Sequence, residues 1–229
     1  MVSGRVIFIT GAATGIGRGL AARFRADGAI VVGTDLASRV GEIGDAADLA
    51  LAADVTKPEE VATAIAAAVD AHGRVDALIA NAGVGERATI EEASWNQIAR
   101  VVDVNLFGVL HCMRAVLPVM RAQGSGRIVS LVSRNAELCP ATLVGYNASK
   151  AAVVAVTRTL SRELQGTDIL VNNLIPGPTR TEMNPTGTLE SDAAYPTARM
   201  LVTLPEGGPS GRTFFEERDY KFWERFSST

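Results

Sequence analysis

The chain has 229 residues, of which 47% are hydrophobic, 21% charged and 5% aromatic, and its formal net charge is −3. This length suits one large domain with a substantial buried core, and the scattered charges argue against a nucleic-acid-binding surface. The apolar runs are too short for a membrane span and the N-terminus lacks a signal-peptide pattern, so we expect a cytoplasmic protein with neither membrane nor nucleic acid as partner.

Strands and helices alternate along the chain. Short apolar, β-branched runs predict strands, and longer segments that follow a capping residue predict helices. The predicted strands cover residues 6–10, 30–34, 49–53, 75–80, 127–132, 169–174 and 213–216. Helices are predicted from the first glycine-rich turn to Gly28, from an N-cap at Thr56 to residue 71, from a cap at Ser94 to residue 123, and over residues 146–164, with a brief or irregular one between residues 36 and 49.

This alternation is typical of an α/β protein with a parallel sheet covered by helices on both faces. We therefore predict a single-domain, doubly wound Rossmann fold over residues 1–229, with about seven strands in the order 3-2-1-4-5-6-7. Beyond Met183 the pattern loosens and prolines become frequent. The aromatic and charged segment 220–226 is predicted to be a surface or interface segment.

A glycine-rich turn, TGAATGIG at residues 10–17, follows the first strand and opens the first helix. Glycines there permit a tight turn and let a pyrophosphate approach the helix N-terminus, where free N–H groups favour anions. A purely structural turn is the alternative. The residues assigned to a dinucleotide from this turn are Gly11, Thr14, Gly15, Ile16 and Gly17.

Two carboxylates follow the next two strands. Asp35 can accept hydrogen bonds from the adenosine ribose and would repel a 2′-phosphate, and no Arg or Lys immediately follows it, so NAD is favoured over NADP. Asp54 is placed to meet the adenine amino group. A plain turn role is the alternative for both residues. Leu36 and Val55, which follow the carboxylates, are assigned to the same site.

Further motifs occur in a fixed order: Asn81-Ala82-Gly83, Asn105, Ser133 and the run YNASK at residues 146–150. Together with the glycine-rich turn, they resemble the short-chain dehydrogenase/reductase family in its compact single-domain branch. The resemblance extends from residue 5 to about residue 183. It implies an NAD-dependent oxidoreductase that acts on CH–OH groups, with a small-molecule alcohol or ketone as substrate.

Tyr146 and Lys150 lie one helical turn apart, so their side chains project from one face. A lysine ammonium at this distance is expected to lower the pKa of a tyrosine towards the working range of a base. The resemblance implies that Tyr146 exchanges a proton with the substrate oxygen, that Lys150 holds the nicotinamide ribose, that Ser133 hydrogen-bonds the same oxygen, and that Asn105 holds a water. A structural tyrosine–lysine pair and a satisfied core amide are the alternatives.

The resemblance also assigns cofactor contacts outside the glycine-rich turn. Asn81, Ala82 and Gly83 lie beside the adenosine ribose, and the turn after the sixth strand grips the nicotinamide carboxamide through Pro176, Gly177, Thr179 and Thr181. Tyr146 and Lys150 belong to the cofactor site as well. Residues 184–229 form a variable substrate loop and C-terminal segment that departs from the usual ending of the family.

The substrate pocket is predicted beside Ser133 and Tyr146, with walls formed by Asn135, Glu137, Leu138, Leu143 and Met183. Glu137 is expected either to bind an amine or hydroxyl of the substrate or to be a solvated loop carboxylate. Cys112 and Cys139 are expected to be buried or half-buried thiols, and no metal site is visible.

Helices 94–123 and 146–164 carry apolar residues on more than one face, so we expect them to pair in a homodimer or homotetramer. Two other functions stay open: an NADP-dependent ketone reductase and a non-catalytic dinucleotide-binding protein.

Overall fold

The structure, a computed structural model, describes residues 1–223. Its eight strands are β1 (Val6–Thr10), β2 (Ile30–Asp35), β3 (Leu49–Ala52), β4 (Ala77–Ala80), β5 (Ser125–Leu131), β6 (Asp168–Leu174), β7 (Thr213–Phe215) and β8 (Arg218–Asp219). They form one sheet in the order β3-β2-β1-β4-β5-β6-β7-β8, parallel except for β8, which is antiparallel to β7. The predicted order is confirmed, and β8 adds an edge strand that was not predicted.

The helices lie on both faces of this sheet. They are α1 (Gly15–Ala26), α2 (Pro58–His72), α3 (Trp95–Val102), α4 (Gly108–Gln123), α5 (Asn135–Leu138), α6 (Val144–Glu163) and α7 (Tyr195–Val202). Val6 and Phe8 of β1 join the apolar core under α2, α4 and α6, whereas Ile7 and Ile9 join the core under α1 and α7. All residues of β1 are buried because helices cover both faces.

The long helix predicted from Ser94 has the predicted cap but is not regular. Ser94 Oγ accepts a hydrogen bond from Gln97 N at 3.2 Å, and Gln97 Oε1 accepts one from Ser94 N at 2.9 Å, which is a capping box. A π-helical turn over Asp103–Phe107 then separates α3 from α4. By length and composition alone, Trp95–Gln123 could cross a membrane, but here its helices pack against α2 and α6 as core helices do.

Several local predictions are wrong. Lys57 occupies the N-cap position of α2, because the Thr56 hydroxyl instead donates to Asp54 Oδ1 at 2.8 Å. Cys112 is buried as expected, but Cys139 is exposed because it lies in a left-handed turn that closes α5. Two short helices, α5 and α7, lie in segments for which no helix was predicted.

Where the structure describes it, the predicted surface or interface segment is partly docked, with Lys221 exposed, Tyr220 and Trp223 half-buried and Phe222 buried. Phe222 is 4% exposed and joins the core on the α4 and α6 face. The Arg158 guanidinium lies 5.4 Å from the centre of the Trp223 ring. Burial of large aromatic rings favours this docking over a solvated position. Residues 224–226 of the predicted segment lie outside the described residues.

Candidate active site

The glycine-rich turn joins β1 to α1 in a geometry that requires glycine. Gly11 and Gly15 have φ angles of 64° and 53°, which favour glycine, and a Cβ on Gly17 would lie 2.0 Å from Gly11 O. Arg18 N is bonded to Thr14 O, so the N–H groups of residues 15–17 precede the first bonds within the helix. The turn therefore forms a cradle of backbone donors that fits a pyrophosphate.

Asp35 ends β2 and lies against this turn. Its Oδ2 accepts a hydrogen bond from Ala13 N at 3.0 Å and its Oδ1 accepts one from Leu36 N at 2.9 Å. The two bonds fix the carboxylate at the carboxyl end of the sheet, with lone pairs left for further donors. This position is the one predicted for a ribose-binding carboxylate.

Asp54 and Val55 follow β3 on the same edge of the sheet. Asp54 Oδ1 accepts bonds from both the backbone N–H and the hydroxyl of Thr56, at 2.9 and 2.8 Å. Val55 is buried against Gly108 of α4 and its carbonyl oxygen lies 2.9 Å from His111 Nδ1. The structure thus shows a turn role for Asp54, the alternative left open above.

The segment after β4 connects the glycine-rich turn to the catalytic side of the groove. Asn81 Nδ2 donates to the carbonyl oxygens of Thr10 and Gly11 at 2.8 and 3.0 Å. Ala82 N donates to Thr10 Oγ1 at 3.0 Å. A Cβ built on Gly83 would lie 3.7 Å from Lys150 Nζ, so Gly83 brings the two parts of the site together.

Tyr146, Ser133 and Lys150 form the candidate catalytic group. Ser133 follows β5, and α6 carries Tyr146 and Lys150 on one face. Lys150 is 5% exposed, and its Nζ donates to Leu131 O at 2.9 Å and lies 5.7 Å from the centre of the Tyr146 ring. The Ser133 side chain is close enough to Tyr146 to lower the pKa of the Tyr146 hydroxyl. The three polar groups therefore meet at the carboxyl end of β5.

The electrostatics of this group differ from the prediction. Burial raises the pKa of Tyr146, and the Ser133 side chain opposes this rise only in part. Burial lowers the pKa of Lys150 to about 8. The expectation that Lys150 lowers the pKa of Tyr146 is therefore wrong for this structure, because removal of the phenolate from water outweighs the favourable contacts.

Asn105 lies in the π-helical turn and is fully buried. Its Oδ1 accepts from Val84 N at 2.8 Å, and its Nδ2 donates to Val84 O at 2.9 Å and to Ser149 Oγ at 3.2 Å. The side chain thus ties the segment after β4 to α6, one residue before Lys150. This is the core-amide alternative, and a water held by Asn105 stays a prediction.

The turn after β6 crosses the site and reaches the glycine-rich turn. Gly177 has a φ angle of 77°, and the hydroxyl of the buried Thr179 donates to Pro176 O at 3.2 Å. A Cβ built on Gly15 would lie 3.1 Å from the Thr181 methyl carbon. The Thr181 hydroxyl accepts a bond from Asn184 N at 3.1 Å. A grip of this turn on a carboxamide stays a prediction.

Part of the predicted substrate wall lies beside Tyr146. A Cβ built on Gly85 would lie 3.3 Å from Met183 Sδ and 3.9 Å from Tyr146 Cδ2. Asn135 N donates to Ser133 Oγ at 3.2 Å. Leu138 is exposed and Leu143 is buried. Gly85 was missed, and its only signal was its place two residues after Gly83.

Glu137 has neither of the roles predicted for it. It is 8% exposed; its Oε2 accepts from the Tyr220 hydroxyl and its Oε1 from Trp223 N, both at 2.7 Å. The carboxylate therefore fastens α5 to the C-terminal segment. Hydrogen bonds to both oxygens stabilise this carboxylate in its buried position.

Within residues 1–223, the His, Cys, Asp and Glu side chains form no group of three that could hold a metal ion.

Comparisons with known proteins agree with this geometry. The model of the short chain dehydrogenase family matches residues 5–191. A 2-dehydro-3-deoxy-L-rhamnonate dehydrogenase (NAD(+)) of Sphingomonas is 38% identical over 180 residues, which cover 76% of this chain and 72% of that protein. A 3-alpha-(or 20-beta)-hydroxysteroid dehydrogenase of Mycobacterium bovis is 36% identical over 185 residues, which cover 79% and 71%.

Among solved structures, a 3-ketoacyl-(acyl-carrier-protein) reductase of Brucella melitensis complexed with NADH superposes with a TM-score of 0.85 at 34% identity, over 93% of this chain and 97% of that one. The fold, the order of the motifs and these matches agree. The chain therefore belongs to the short-chain dehydrogenase family of oxidoreductases.

Proposed function

We propose that the protein transfers a hydride between NAD and a secondary alcohol or ketone, with Tyr146 as general acid/base. The observation that carries this proposal is the grouping of Ser133, Tyr146 and Lys150 at the carboxyl end of β5, beside the glycine-rich turn. Asp35 supports NAD over NADP, since its carboxylate would repel a 2′-phosphate. The name of the Sphingomonas relative, which specifies NAD(+), agrees with this choice.

The residues assigned to the cofactor would each hold one part of the dinucleotide. The N–H groups at residues 15–17 would hold the pyrophosphate, and Asp35 would accept the ribose hydroxyls. Lys150, which now donates to Leu131 O, is within reach of Gly83 and of the Tyr146 ring, so it would hold the second ribose. When bound, the nicotinamide ring supplies or accepts the hydride.

The proton is moved by Tyr146. In ketone reduction its hydroxyl donates a proton to the oxygen that gains negative charge, and in alcohol oxidation its phenolate accepts that proton. The Ser133 hydroxyl, which lies near Tyr146, would donate to the same substrate oxygen and orient it. Gly85 and Met183 lie beside the Tyr146 ring, so they would line the substrate side of the site.

The pH dependence should differ between the two directions. Because burial raises the pKa of Tyr146, the phenolate is scarce at neutral pH. As the pH rises towards that pKa, the phenolate fraction increases about tenfold for each pH unit. We therefore expect kcat/KM for oxidation to rise with pH, and kcat/KM for reduction to stay level and fall only at strongly alkaline pH. Absorbance of NADH measures both profiles, and an oxidation rate independent of pH between about 6 and 9 would contradict Tyr146 as the base.

The cofactor and the reaction can be tested together. Fluorescence titration with NADH and NADPH gives the two dissociation constants, and a panel of secondary alcohols, diols, sugars and ketones is then followed by NADH absorbance. Tighter binding of NADPH would favour the NADP-dependent reductase instead. Binding of NADH without turnover of any member would favour a non-catalytic dinucleotide-binding protein.

We further assign residues 1–229 to one dinucleotide-binding and catalytic domain, with residues 184–229 as substrate loop and C-terminal segment, and we place the protein in the cytoplasm. We also propose a homodimer or homotetramer through the helices of residues 94–123 and 146–164. Trp95 and Phe107 are 81% and 46% exposed, and Val104, Ala151 and Val156 are only partly buried. Sedimentation should show an oligomer, and a monomer at micromolar concentration would contradict this assignment.

A further inference from the structure

Arg39 lies four residues after Asp35 and is the one basic residue in the segment from residue 35 to residue 48. It directly precedes a short 3₁₀ helix, Val40–Ala46, that links β2 to β3. A cation at this point of the groove could pair with a phosphate on the adenosine 2′-oxygen, because that phosphate would lie near the end of β2. Whether the Arg39 guanidinium is free or already paired therefore affects which dinucleotide the site accepts.

Four of the five N–H donors of the Arg39 guanidinium are bonded to carboxylates. Its Nη1 and Nη2 donate to the two oxygens of Glu182 at 3.0 and 2.8 Å, a bidentate pair. Its Nε and Nη2 donate to Glu42 at 3.2 Å each. The hydrogen bond from Arg39 also lowers the pKa of Glu182, so the carboxylate is held in its charged form. The pair joins two segments that are distant in sequence.

The pair spans the proposed cofactor groove. Glu182 follows Thr181, whose methyl group lies against Gly15 of the glycine-rich turn. Strands β2 and β6, which carry the two segments, are separated by β1, β4 and β5, so their ends are about 19 Å apart at the usual strand spacing. Glu182 thus holds the Arg39 guanidinium in an ion pair that joins the β2 side of the groove to the β6 side.

We propose that Glu182 is a selectivity residue, which disfavours a 2′-phosphorylated dinucleotide by occupying the Arg39 guanidinium that could otherwise pair with the phosphate. The inference rests on the proposed dinucleotide function. A 2′-phosphate carries a charge of about −1.5 to −2 and would otherwise bind a guanidinium in the same bidentate manner. Glu42 and Glu182 pair with Arg39, Asp35 ends β2 nearby, and Arg18 donates to Glu42 O, so three carboxylates and two guanidinium groups lie at this edge of the groove.

The test is Glu182→Gln, with the dissociation constants of NADH and NADPH measured by fluorescence titration at low salt. The ratio of the two constants isolates the 2′-phosphate, since both ligands share every other group. We expect the variant to bind NADPH about two- to fivefold more tightly relative to NADH, because an exposed charge pair contributes at most about 1 kcal/mol. Glu42→Gln/Glu182→Gln should increase the shift further.

Two control variants test whether release of Arg39 causes the change in the ratio of the two dissociation constants. Glu190→Gln removes the same charge from the same loop, but Glu190 pairs with Arg180 and not with Arg39, so the ratio should stay at the wild-type value. Arg39→Gln/Glu182→Gln lacks the released cation and should also show no gain for NADPH.

The outcomes separate this inference from the function on which it rests. If the wild type binds NADH and Glu182→Gln leaves the ratio unchanged, or Glu190→Gln changes it equally, the selectivity role is wrong and the proposed function stands. If the wild type binds neither dinucleotide, both proposals fall.

Discussion

Replacement of Tyr146 by phenylalanine is expected to reduce kcat by at least two to four orders of magnitude, roughly the contribution of a positioned acid/base group. The change removes one oxygen and leaves the ring against Gly85. Ser133 keeps its bond from Asn135 N and stays on the same side of the groove. The loss should therefore appear in turnover, measured by NADH absorbance on a substrate found in the panel.

A matched control is available for this variant. The Tyr195 hydroxyl donates to Asp27 Oδ2 at 2.7 Å on the opposite face of the sheet, so Tyr195→Phe loses a tyrosine hydroxyl outside the site. That variant should keep its turnover. Tyr146→Phe should also bind NADH with a dissociation constant within about twofold of the wild type, since it loses only one of the many groups assigned to the cofactor site. Undiminished turnover in Tyr146→Phe would remove the proton-transfer assignment.

Replacement of Lys150 by methionine should abolish turnover and yet stabilise the fold at neutral pH. Burial lowers the pKa of Lys150 from 10.5 in the unfolded chain to about 8, so below pH 8 folding pays to keep the charged form buried. Below pH 8, burial of the charged lysine therefore lowers the free energy of unfolding by about 3 kcal/mol. Loss of the bond to Leu131 O offsets about 1 kcal/mol of the gain, so the expected net rise in unfolding free energy is about 2 kcal/mol.

The sign of this effect changes the pH profile of stability. Between pH 8 and 10.5 the unfolded lysine still holds its proton while the folded one has released it, so wild-type stability rises with pH in this window. The penalty is present in full below pH 8, and the advantage of Lys150→Met should disappear as the pH approaches 10.5. Urea unfolding at several pH values measures this difference.

Lys57→Met is the matched control. Lys57 is exposed and pairs with Glu60 at the start of α2, so its replacement should give no gain in stability at neutral pH. An advantage of Lys150→Met that stays constant from neutral to strongly alkaline pH would show that better packing, not relief of a buried charge, is the cause.

The sequence was sufficient for the features that depend on local pattern. Alternation of apolar runs with capped helices predicted the parallel order from β3 to β7, and Gly15 and Gly17 marked the turn that a side chain would fill. The grouping of Ser133, Tyr146 and Lys150 was predicted from their order and from a resemblance. These features are set by short segments whose geometry varies little.

The remaining features depend on contacts between distant segments. The bonds from Tyr220 and Trp223 to Glu137 join residues more than eighty positions apart, and Arg39 and Glu182 are farther apart still. The upward shift in the pKa of Tyr146 reflects how completely the fold removes it from water. Residue spacing along the chain contains no measure of either property.

The bonds from Tyr220 and Trp223 to Glu137 also set the order in which parts of the fold are completed during synthesis. A ribosome makes the chain from its N-terminus, so the glycine-rich turn and the Tyr146–Lys150 segment exist before Tyr220 and Trp223 do. The glycine-rich turn can form on the nascent chain, but α5, which begins two residues past Ser133, gains its fastening only after Tyr220 and Trp223 have been made. The segment beside Ser133 therefore reaches its final packing after the glycine-rich turn and the Tyr146–Lys150 segment have been made.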